Sequence, residues 1–333
     1  MLSELPIVQA PMAGVQGSAL AVAVGRTGAL GSLPAAMLSD DALTAELTLL
    51  AVEDVPYNVN FFAHHMPAAD PAREEAWLAA LAPYRAEYAV AETGGGVTRR
   101  PFDAHVCDVI EPYAPPVVSF HFGLPDEGLL RRVKAWGAVV LSTATTVDEA
   151  RWLVEHGADA VIAQGWEAGG HRGHFLSEDL SLHMPTLDLV RAVRSSVGCP
   201  VIAAGGITTA TDVRAALDAG AIAVQAGTAF LLADEATTSS FHRDAIQRPH
   251  DTVVTSAFTG RPARGIPTRL VLELGEFPDP APPFPLAAGA LAPLRAAAEA
   301  QGRTDFTPLW CGTRTDGVRP APAAEIVEGM LGA

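Results

Sequence analysis

One histidine stands in a glycine-rich stretch between residues 164 and 173. The stretch reads Gln-Gly-Trp-Glu-Ala-Gly-Gly-His-Arg-Gly, which places His171 among four glycines. A purely structural turn rarely needs so many, because each glycine costs conformational entropy on folding. A histidine titrates near neutral pH, so His171 is the candidate for transferring a proton or for donating a hydrogen bond to an anion. The alternative is a surface histidine in a flexible loop, since the chain contains ten histidines.

Two further glycine turns follow apolar runs near residues 201–204 and 222–225. Glycines there let backbone N–H groups point at an anion beside a helix N-terminus, as in barrels that hold a phosphate after strands seven and eight. Two such turns on adjacent strands favour a phosphate site over ordinary turn geometry. The candidate residues of these turns are Gly205, Gly206, Gln225, Ala226, Gly227 and Thr228.

The ends of two earlier runs are also candidates for a ligand site. Small residues and a proline after the first run would let backbone amides approach a flat ligand closely. An ordinary turn between a strand and a helix can have the same residue types, so this alternative remains open. An asparagine after the third run has an amide that can both donate and accept at the polar edge of such a ligand, although alone it is more often a cap. These candidates are Ala10, Pro11, Met12, Ala13 and Asn60.

Eight short apolar runs, each followed by a helix-length segment, predict the strands that must position these residues. Such repeated βα units are typical of a parallel sheet, and the GxGxxG motif of a doubly wound dinucleotide-binding fold does not occur. We therefore predict an α/β protein with a (β/α)8 TIM barrel. The predicted strands are 7–10, 29–33, 57–60, 117–120, 138–142, 160–163, 201–204 and 222–225.

The remaining sequence predicts a smaller accessory element. We assign residues 1–270 to the barrel, with a long insertion at 63–116, and residues 271–333 to a C-terminal flap and helices that pack on it. Residues 276–285 are too rich in proline for a regular element and predict a linker or an active-site flap. Helices are expected at about 286–301 and 323–331.

Composition excludes several classes of partner. The chain has 22 Lys and Arg against 38 Asp and Glu, a formal charge of −16, which would repel nucleic acids and anionic membranes. Three separated cysteines suit a reducing compartment and the N-terminus lacks a basic targeting segment, so we expect a cytoplasmic protein. No metal site is expected, because His171 and His174 lack a companion ligand at suitable spacing. A second copy of the chain, as a homodimer, is the macromolecular partner left open.

Taken in order, several motifs resemble those of the nitronate monooxygenases, formerly called 2-nitropropane dioxygenases. The similarity runs from residue 6 to about residue 270, whereas the tail from Cys311 to Asp316 does not follow the family's usual ending. The motifs are Gln9-x-Pro11-Met12-x-Gly14, Asn58-Val59-Asn60-Phe61-Phe62, Val118-Ser119-Phe120-His121-Phe122-Gly123, the run at 164–173, Gly205-Gly206-Ile207, Gln225-x-Gly227-Thr228-Ala229-Phe230, and Thr259-Gly260-Arg261-Pro262-Ala263-Arg264-Gly265.

The resemblance implies an FMN enzyme that oxidises alkyl nitronates with O2 to a carbonyl compound and nitrite. It implies that the segment after the first strand lies near the isoalloxazine, Asn60 at its polar edge, and the turns at 205–206 and 225–228 around the phosphate. Residues Gln164, Gly169 and Gly170 would also face the flavin, and His171 matches the family's catalytic histidine, as a base or as a donor to the anion.

Three alternatives remain open on the sequence. A flavin-dependent enoyl-thioester reductase that uses NAD(P)H resembles the same motifs. A non-catalytic flavin- or phosphate-binding barrel would make His171 merely structural. A phosphosugar isomerase would use the same phosphate turns without a flavin.

Overall fold

The computed structural model describes residues 3–91 and 99–332 and contains a closed barrel of eight parallel strands. The strands are β1 (Ile7–Gln9), β2 (Gly31–Pro34), β3 (Tyr57–Phe62), β4 (Val117–His121), β5 (Val139–Ala144), β6 (Ala160–Gln164), β8 (Val201–Ala204) and β9 (Ala223–Ala226). Their order in the sheet is β1-β9-β8-β6-β5-β4-β3-β2, with each neighbouring pair parallel. The first strand closes the circle, because the N–H of Gln9 donates to the carbonyl of Leu30 at 2.8 Å, just before β2 begins. The predicted (β/α)8 barrel is therefore confirmed.

Helices separate successive strands and cover the outside of the barrel. Several begin at a side-chain cap, as at Thr146 and Thr209, whose hydroxyls accept from backbone N–H groups of the first turn. The helices in chain order are α1 (Ser18–Gly25), α2 (Asp40–Ala51), α3 (Pro71–Glu87), α4 (Ala104–Ile110), α5 (Glu127–Ala135), α6 (Val147–Glu155), α7 (Thr186–Ser196), α8 (Ala210–Asp218), α9 (Ser240–Ile246), α10 (Arg269–Leu274), α11 (Ala287–Ala300) and α12 (Ala323–Leu331). Within the described ranges, no helix is long and apolar enough to cross a bilayer.

The strands are buried on both faces, which explains why their sequences are apolar throughout rather than alternating. Val8, Leu141 and Ile202 fill the inside of the barrel with almost no exposed surface. Outward-facing residues such as Val161 and Val224 pack beneath the helices. This double layer of apolar contacts makes the barrel a rigid support for the residues at its carboxyl end.

A second layer, here called the accessory layer, covers the carboxyl end of the barrel. It contains an antiparallel sheet and the helices α3, α10 and α11, packed around Trp77, Leu294 and Phe306. Helix α3 comes from the insertion and packs against α11 from the tail, whereas α4 and α12 lie among the barrel helices. The domain boundary at residue 270 stays a prediction. The strands of this sheet are β7 (Gly170–His171), β10 (Val253–Thr255), β11 (Ala263–Ile266) and β12 (Leu309–Trp310).

The prediction that His171 lies in a loop was wrong, because this residue belongs to a strand. Gly170 and His171 form the short strand β7, which pairs antiparallel with β11, so that His171 lies opposite Ala263. The partner strand is distant in sequence, and a pair of residues carries no periodic signal, which is why the sequence could not reveal this strand. The predicted limits of β8 were correct, and those of the other seven barrel strands differ from the observed limits by one or two residues, as is usual for strand ends.

Candidate active site

A cavity of about 290 Å³ lies at the carboxyl ends of the barrel strands, beneath the accessory layer. The turns after β1, β3, β6, β8 and β9 open onto it, which is the face where barrel enzymes hold their ligands. All of the residues proposed from sequence line this one cavity: Ala10, Pro11, Met12, Ala13, Asn60, Gln164, Gly169, Gly170, His171, Gly205, Gly206, Gln225, Ala226, Gly227 and Thr228.

His171 is held by its backbone and by one ring nitrogen. Its Nε2 lies 2.9 Å from Oγ1 of Thr259, in the segment that precedes β11. Its Nδ1 makes no hydrogen bond with any residue in the described part of the chain. The ring of Phe284 lies 5.3 Å away and that of Trp310 5.7 Å away, so aromatic side chains wall the histidine. Nδ1 is therefore the ring nitrogen that is available to hydrogen-bond with a ligand.

The side chain of Gln164 fixes the backbone on both sides of Arg172. Its Nε2 donates to the carbonyl of His171 at 2.9 Å, and its Oε1 accepts from the N–H of Gly173 at 2.8 Å. His121 approaches the same carbonyl of His171 at 3.2 Å through Nε2. These contacts hold the strand that carries the histidine against the end of β6.

The side chain of Arg172 also binds the glycine-rich segment at residues 164–173. It is fully buried, and its guanidinium donates to the carbonyls of Gly165 at 2.8 Å and Gln164 at 3.2 Å. Arg172 and Arg264 both place their guanidinium groups about 5 Å from the ring of Trp166. Burial and the nearby charge of Arg264 lower the pKa of Arg172 to about 9. Both arginines therefore hold the glycine-rich segment in place.

The imidazole of His171 is neutral at physiological pH. Burial is the largest cause that lowers its pKa well below the usual value, because a cation there would lose its hydration. The positive charge of Arg99 lowers it further, followed by His121, Arg261 and His64. Burial likewise lowers the pKa of His121 to about 3. A neutral imidazole has one nitrogen that can accept a proton and one N–H that can donate.

The glycine turns leave room that other residues would fill. Gly205 and Gly206 have φ values of 119° and 66°, where side chains are rarely found, and a Cβ on Gly205 would lie 2.8 Å from the backbone nitrogen of Ala168. At the same wall, Oγ1 of Thr208 and Oε1 of Gln225 are buried without a hydrogen-bond partner within residues 3–91 and 99–332. Backbone cradles beside unpaired polar atoms fit a flat ligand that carries polar edges and a phosphate.

The tail completes the wall of the cavity, which sequence reasoning missed. Trp310, Cys311 and Gly312 line it, and the N–H of Gly312 donates to Oγ1 of Thr228 at 2.9 Å. A Cβ on Gly169 would lie only 2.4 Å from the backbone of Cys311, so the two segments pack backbone against backbone. Arg99 of the insertion also lines the cavity. No motif marked either segment.

The fold and this cavity define a barrel enzyme that binds its ligands at the carboxyl ends of the strands. The chain belongs to the nitronate monooxygenase family, whose model matches residues 1–332. It is therefore a flavin oxidoreductase, and the resemblance drawn from its motifs is confirmed.

The chain is similar to individual relatives and solved structures over nearly its full length. The chain is 41% identical to the nitronate monooxygenase of Pseudomonas aeruginosa, over 98% of this chain and 95% of the relative. Its fold matches the nitroalkane oxidase of Streptomyces ansochromogenes with a TM-score of 0.88 at 40% identity, covering 99% of this chain and 96% of the other. It matches FabK of Thermotoga maritima with a TM-score of 0.73 at 28% identity, covering 99% and 92%.

Proposed function

We propose that this protein uses FMN and O2 to oxidise alkyl nitronates, and the nitroalkanes from which they form, to a carbonyl compound and nitrite. In that reaction two nitronates and one O2 would give two carbonyl compounds and two nitrite ions, because each carbon–nitrogen bond is replaced by a carbon–oxygen bond that uses one oxygen atom of O2. The observation that carries the proposal is Nδ1 of His171, unpaired at the wall of the cavity where the predicted cofactor residues meet.

The cofactor would lie across the mouth of the barrel. The isoalloxazine would be held by residues 10–13 and by Gln164. Asn60 would hydrogen-bond with its polar edge. The turns at 205–206 and 225–228 would hold the phosphate through backbone N–H groups. When bound, FMN supplies the electron transfer, and the protein positions the substrate and admits oxygen.

The contacts of Thr259 favour a basic Nδ1 on His171. The hydroxyl of Thr259 also lies 3.4 Å from the carbonyl of Arg261, which can only accept its proton. With its proton directed there, Oγ1 accepts from Nε2–H of His171, and Nδ1 keeps its lone pair. His171 would then remove the proton from the α-carbon of a neutral nitroalkane, which produces the nitronate in the cavity.

The test is nitrite release from purified, FMN-loaded protein. Propyl 1-nitronate and propionate 3-nitronate, supplied as preformed anions in air, should both yield nitrite with consumption of oxygen. Protein without flavin should yield none. Flavin-loaded protein that releases no nitrite from either nitronate would contradict the proposal.

A second candidate is a flavin-dependent enoyl-thioester reductase that uses NAD(P)H, and the similarity to FabK favours it. That function requires the reduced nicotinamide to reduce the flavin directly. Anaerobic mixing with NADPH separates the two candidates. Rapid bleaching of the flavin would support the reductase, and an unchanged spectrum would support nitronate oxidation.

A further inference from the structure

A buried carboxylate outside the cavity binds the chain just beyond His171. Glu149 lies in the first turn of α6 and is buried. Its Oε1 accepts hydrogen bonds from the backbone N–H groups of Phe175 at 2.6 Å and Leu176 at 3.3 Å. Glu149 is not among the described residues that line the cavity. It therefore acts on residues 170–176, here called the His171 segment, and not on a ligand.

The other oxygen of Glu149 begins a chain of hydrogen bonds that ends at Arg172. Oε2 accepts from the backbone N–H of Thr145 at 2.7 Å and from its hydroxyl at 2.8 Å. The same hydroxyl lies 3.2 Å from Nε2 of His183, and Nδ1 of His183 lies 3.3 Å from Nε of Arg172. Arg172 lies in the His171 segment and donates to the backbone at the end of β6. Glu149 thus reaches the segment at two points.

Only one assignment of protons satisfies this chain of hydrogen bonds. The guanidinium of Arg172 can only donate, so Nδ1 of His183 must accept. Burial and then the charge of Arg172 lower the pKa of His183 to about 4, so the ring is neutral and carries its one proton on Nε2. Nε2–H then donates to Thr145, whose hydroxyl donates to Glu149. The last member must be a group that only accepts, as a carboxylate does.

The His171 segment has little rigidity of its own. Strand β7 has only two residues, and the glycines around it add conformational freedom. Side chains from other elements hold the segment: Gln164 accepts from the N–H of Gly173, and the guanidinium of Arg261 donates to the carbonyl of His174. The carboxylate of Glu149 provides the next two contacts along the chain. Its loss would release the C-terminal end of the segment.

We propose that Glu149 is a positioning residue for His171. Its carboxylate fixes the C-terminal end of the His171 segment directly, and it fixes Arg172 through Thr145 and His183. Both attachments start from the connection between β5 and α6, which belongs to the rigid barrel. This inference rests on the proposed function, because it concerns the direction in which His171 presents Nδ1 to a substrate.

The first test is Glu149→Gln, which keeps the shape of the side chain. A glutamine amide accepts at one end only, so its NH2 group would face either Phe175 or Thr145, both of which donate. We expect kcat for 1-nitropropane to fall by about 10- to 100-fold, because a small displacement of a catalytic group has that cost. KM should change by about threefold at most. Propyl 1-nitronate needs no base, so its kcat should also fall by about threefold at most.

Two variants of Thr145 test the proposal even if Glu149→Gln does not fold. Thr145→Val removes the hydroxyl that joins Glu149 to His183 and should lower the same kcat by about tenfold. Thr145→Ser keeps a hydroxyl and should restore most of that loss. A role confined to stability would lower the Tm and leave kcat, measured well below the Tm, at the wild-type value. Wild-type kcat in either folded, FMN-loaded variant, Glu149→Gln or Thr145→Val, would overturn the proposal.

Asp148→Asn is the matched control for the loss of a carboxylate. Asp148 lies beside Glu149 in the first turn of α6, but its side chain is exposed and pairs with Arg151 at 3.3 Å. Its replacement should leave kcat within about twofold of the wild-type value, as expected for a surface ion pair.

Hydrogen exchange separates the failure of this inference from the failure of the proposed function. In FMN-loaded protein without substrate, amides of the His171 segment should exchange about tenfold faster in Glu149→Gln than in Asp148→Asn. If the wild-type protein oxidises no nitronate but this difference is found, the proposed function fails and the anchoring by Glu149 stands. If nitronates are oxidised and Glu149→Gln changes neither exchange nor kcat, the positioning role fails and the proposed function stands.

Discussion

Oγ1 of Thr259 lies 2.9 Å from Nε2 of His171 and 3.4 Å from the backbone oxygen of Arg261. This threonine precedes β11, the accessory strand that pairs with the short strand bearing the histidine. The accessory layer thus supplies both the backbone partner and the side-chain partner of His171. It sets the direction of the ring and favours the tautomer in which Nδ1 is basic.

Replacing Thr259 by valine should slow catalysis without releasing the cofactor. Valine keeps the shape of the side chain but removes the hydroxyl that orients His171, so we expect kcat for 1-nitropropane to fall about tenfold with unchanged FMN content. Thr238→Val is the matched control, because its buried hydroxyl has no partner in the described residues and its loss should not reduce kcat. Equal kcat values for the two variants would refute an orienting role for Thr259.

Removal of His171 should affect neutral nitroalkanes more than preformed nitronates. His171→Gln removes the base, and kcat/KM for 1-nitropropane should fall by about 10²- to 10⁴-fold. Propyl 1-nitronate has already lost that proton, so its oxidation should fall by about tenfold at most. The two rates of nitrite release, measured on one FMN-loaded preparation, decide this prediction. A parallel loss for both substrates would instead indicate an anion-binding role.

The pH profile of the wild-type enzyme should lack a histidine step near pH 6.5. Because burial and nearby arginines lower the pKa of His171 well below the usual value, its base form is fully present above that pH. We expect kcat/KM for 1-nitropropane to stay constant between about pH 8 and pH 6. A tenfold fall per pH unit that begins at 6.5 would show that the free enzyme protonates this residue.

The substitution Gly227→Ala should weaken FMN binding more than it lowers the stability of the protein. A Cβ at this position would lie 3.4 Å from that of Ala10 and 3.6 Å from Sδ of Met12, so Gly227→Ala fits the protein but occupies the cavity wall. We expect weaker FMN binding, measured by flavin fluorescence, with an apoprotein Tm within about 2 °C of wild type.

Gly205→Ala provides the contrasting case. Its φ of 119° and the 2.8 Å approach to Ala168 should lower the Tm as well as FMN binding. Gly198→Ala is the control, because its added Cβ meets no atom within 4 Å in the described structure. A Gly227→Ala protein that binds FMN as tightly as wild type would place the phosphate elsewhere.

The protein should lose stability in mild acid. Each of six histidines has a pKa below its unfolded value of about 6.5, so the unfolded chain binds more protons as the pH falls. The free energy of unfolding should be insensitive to these groups above pH 6.5. Below it, stability should fall by about 1.4 kcal/mol per pH unit for each histidine that stays neutral in the fold. Burial is the first cause at all six, which are His64, His121, His171, His174, His183 and His242.

Urea unfolding at several pH values between 7.5 and 5 tests this expectation, because most carboxylates keep their charge in that range. His156→Gln is the control, because it removes a histidine that lies on the surface at the end of α6 rather than one of the six buried rings. A free energy of unfolding that is constant down to pH 5 would contradict the prediction.

The barrel and the glycine turns that line its cavity could be predicted because the signals are local. Apolar runs such as Val201–Ala204 and the glycines that follow them lie within a few residues of each other. The rest depends on contacts between distant segments. The pairing of His171 with Ala263, the approach of Cys311 to Gly169, and the position of Arg99 in the wall of the cavity have no signature in spacing. Each arises from tertiary packing between segments that lie outside the eight strands of the barrel.

The contact between Gly169 and Cys311 also has a consequence for biosynthesis. The wall of the cavity is unfinished until residues near 312 have left the ribosome, although the eight barrel strands are complete by residue 226. A nascent chain therefore exposes the glycine turns at 205–206 and 225–228 before it can enclose a ligand. The cofactor should therefore bind late, after the residues near 312 have closed the wall of the cavity. A chain truncated before these residues would form the barrel without a complete cavity.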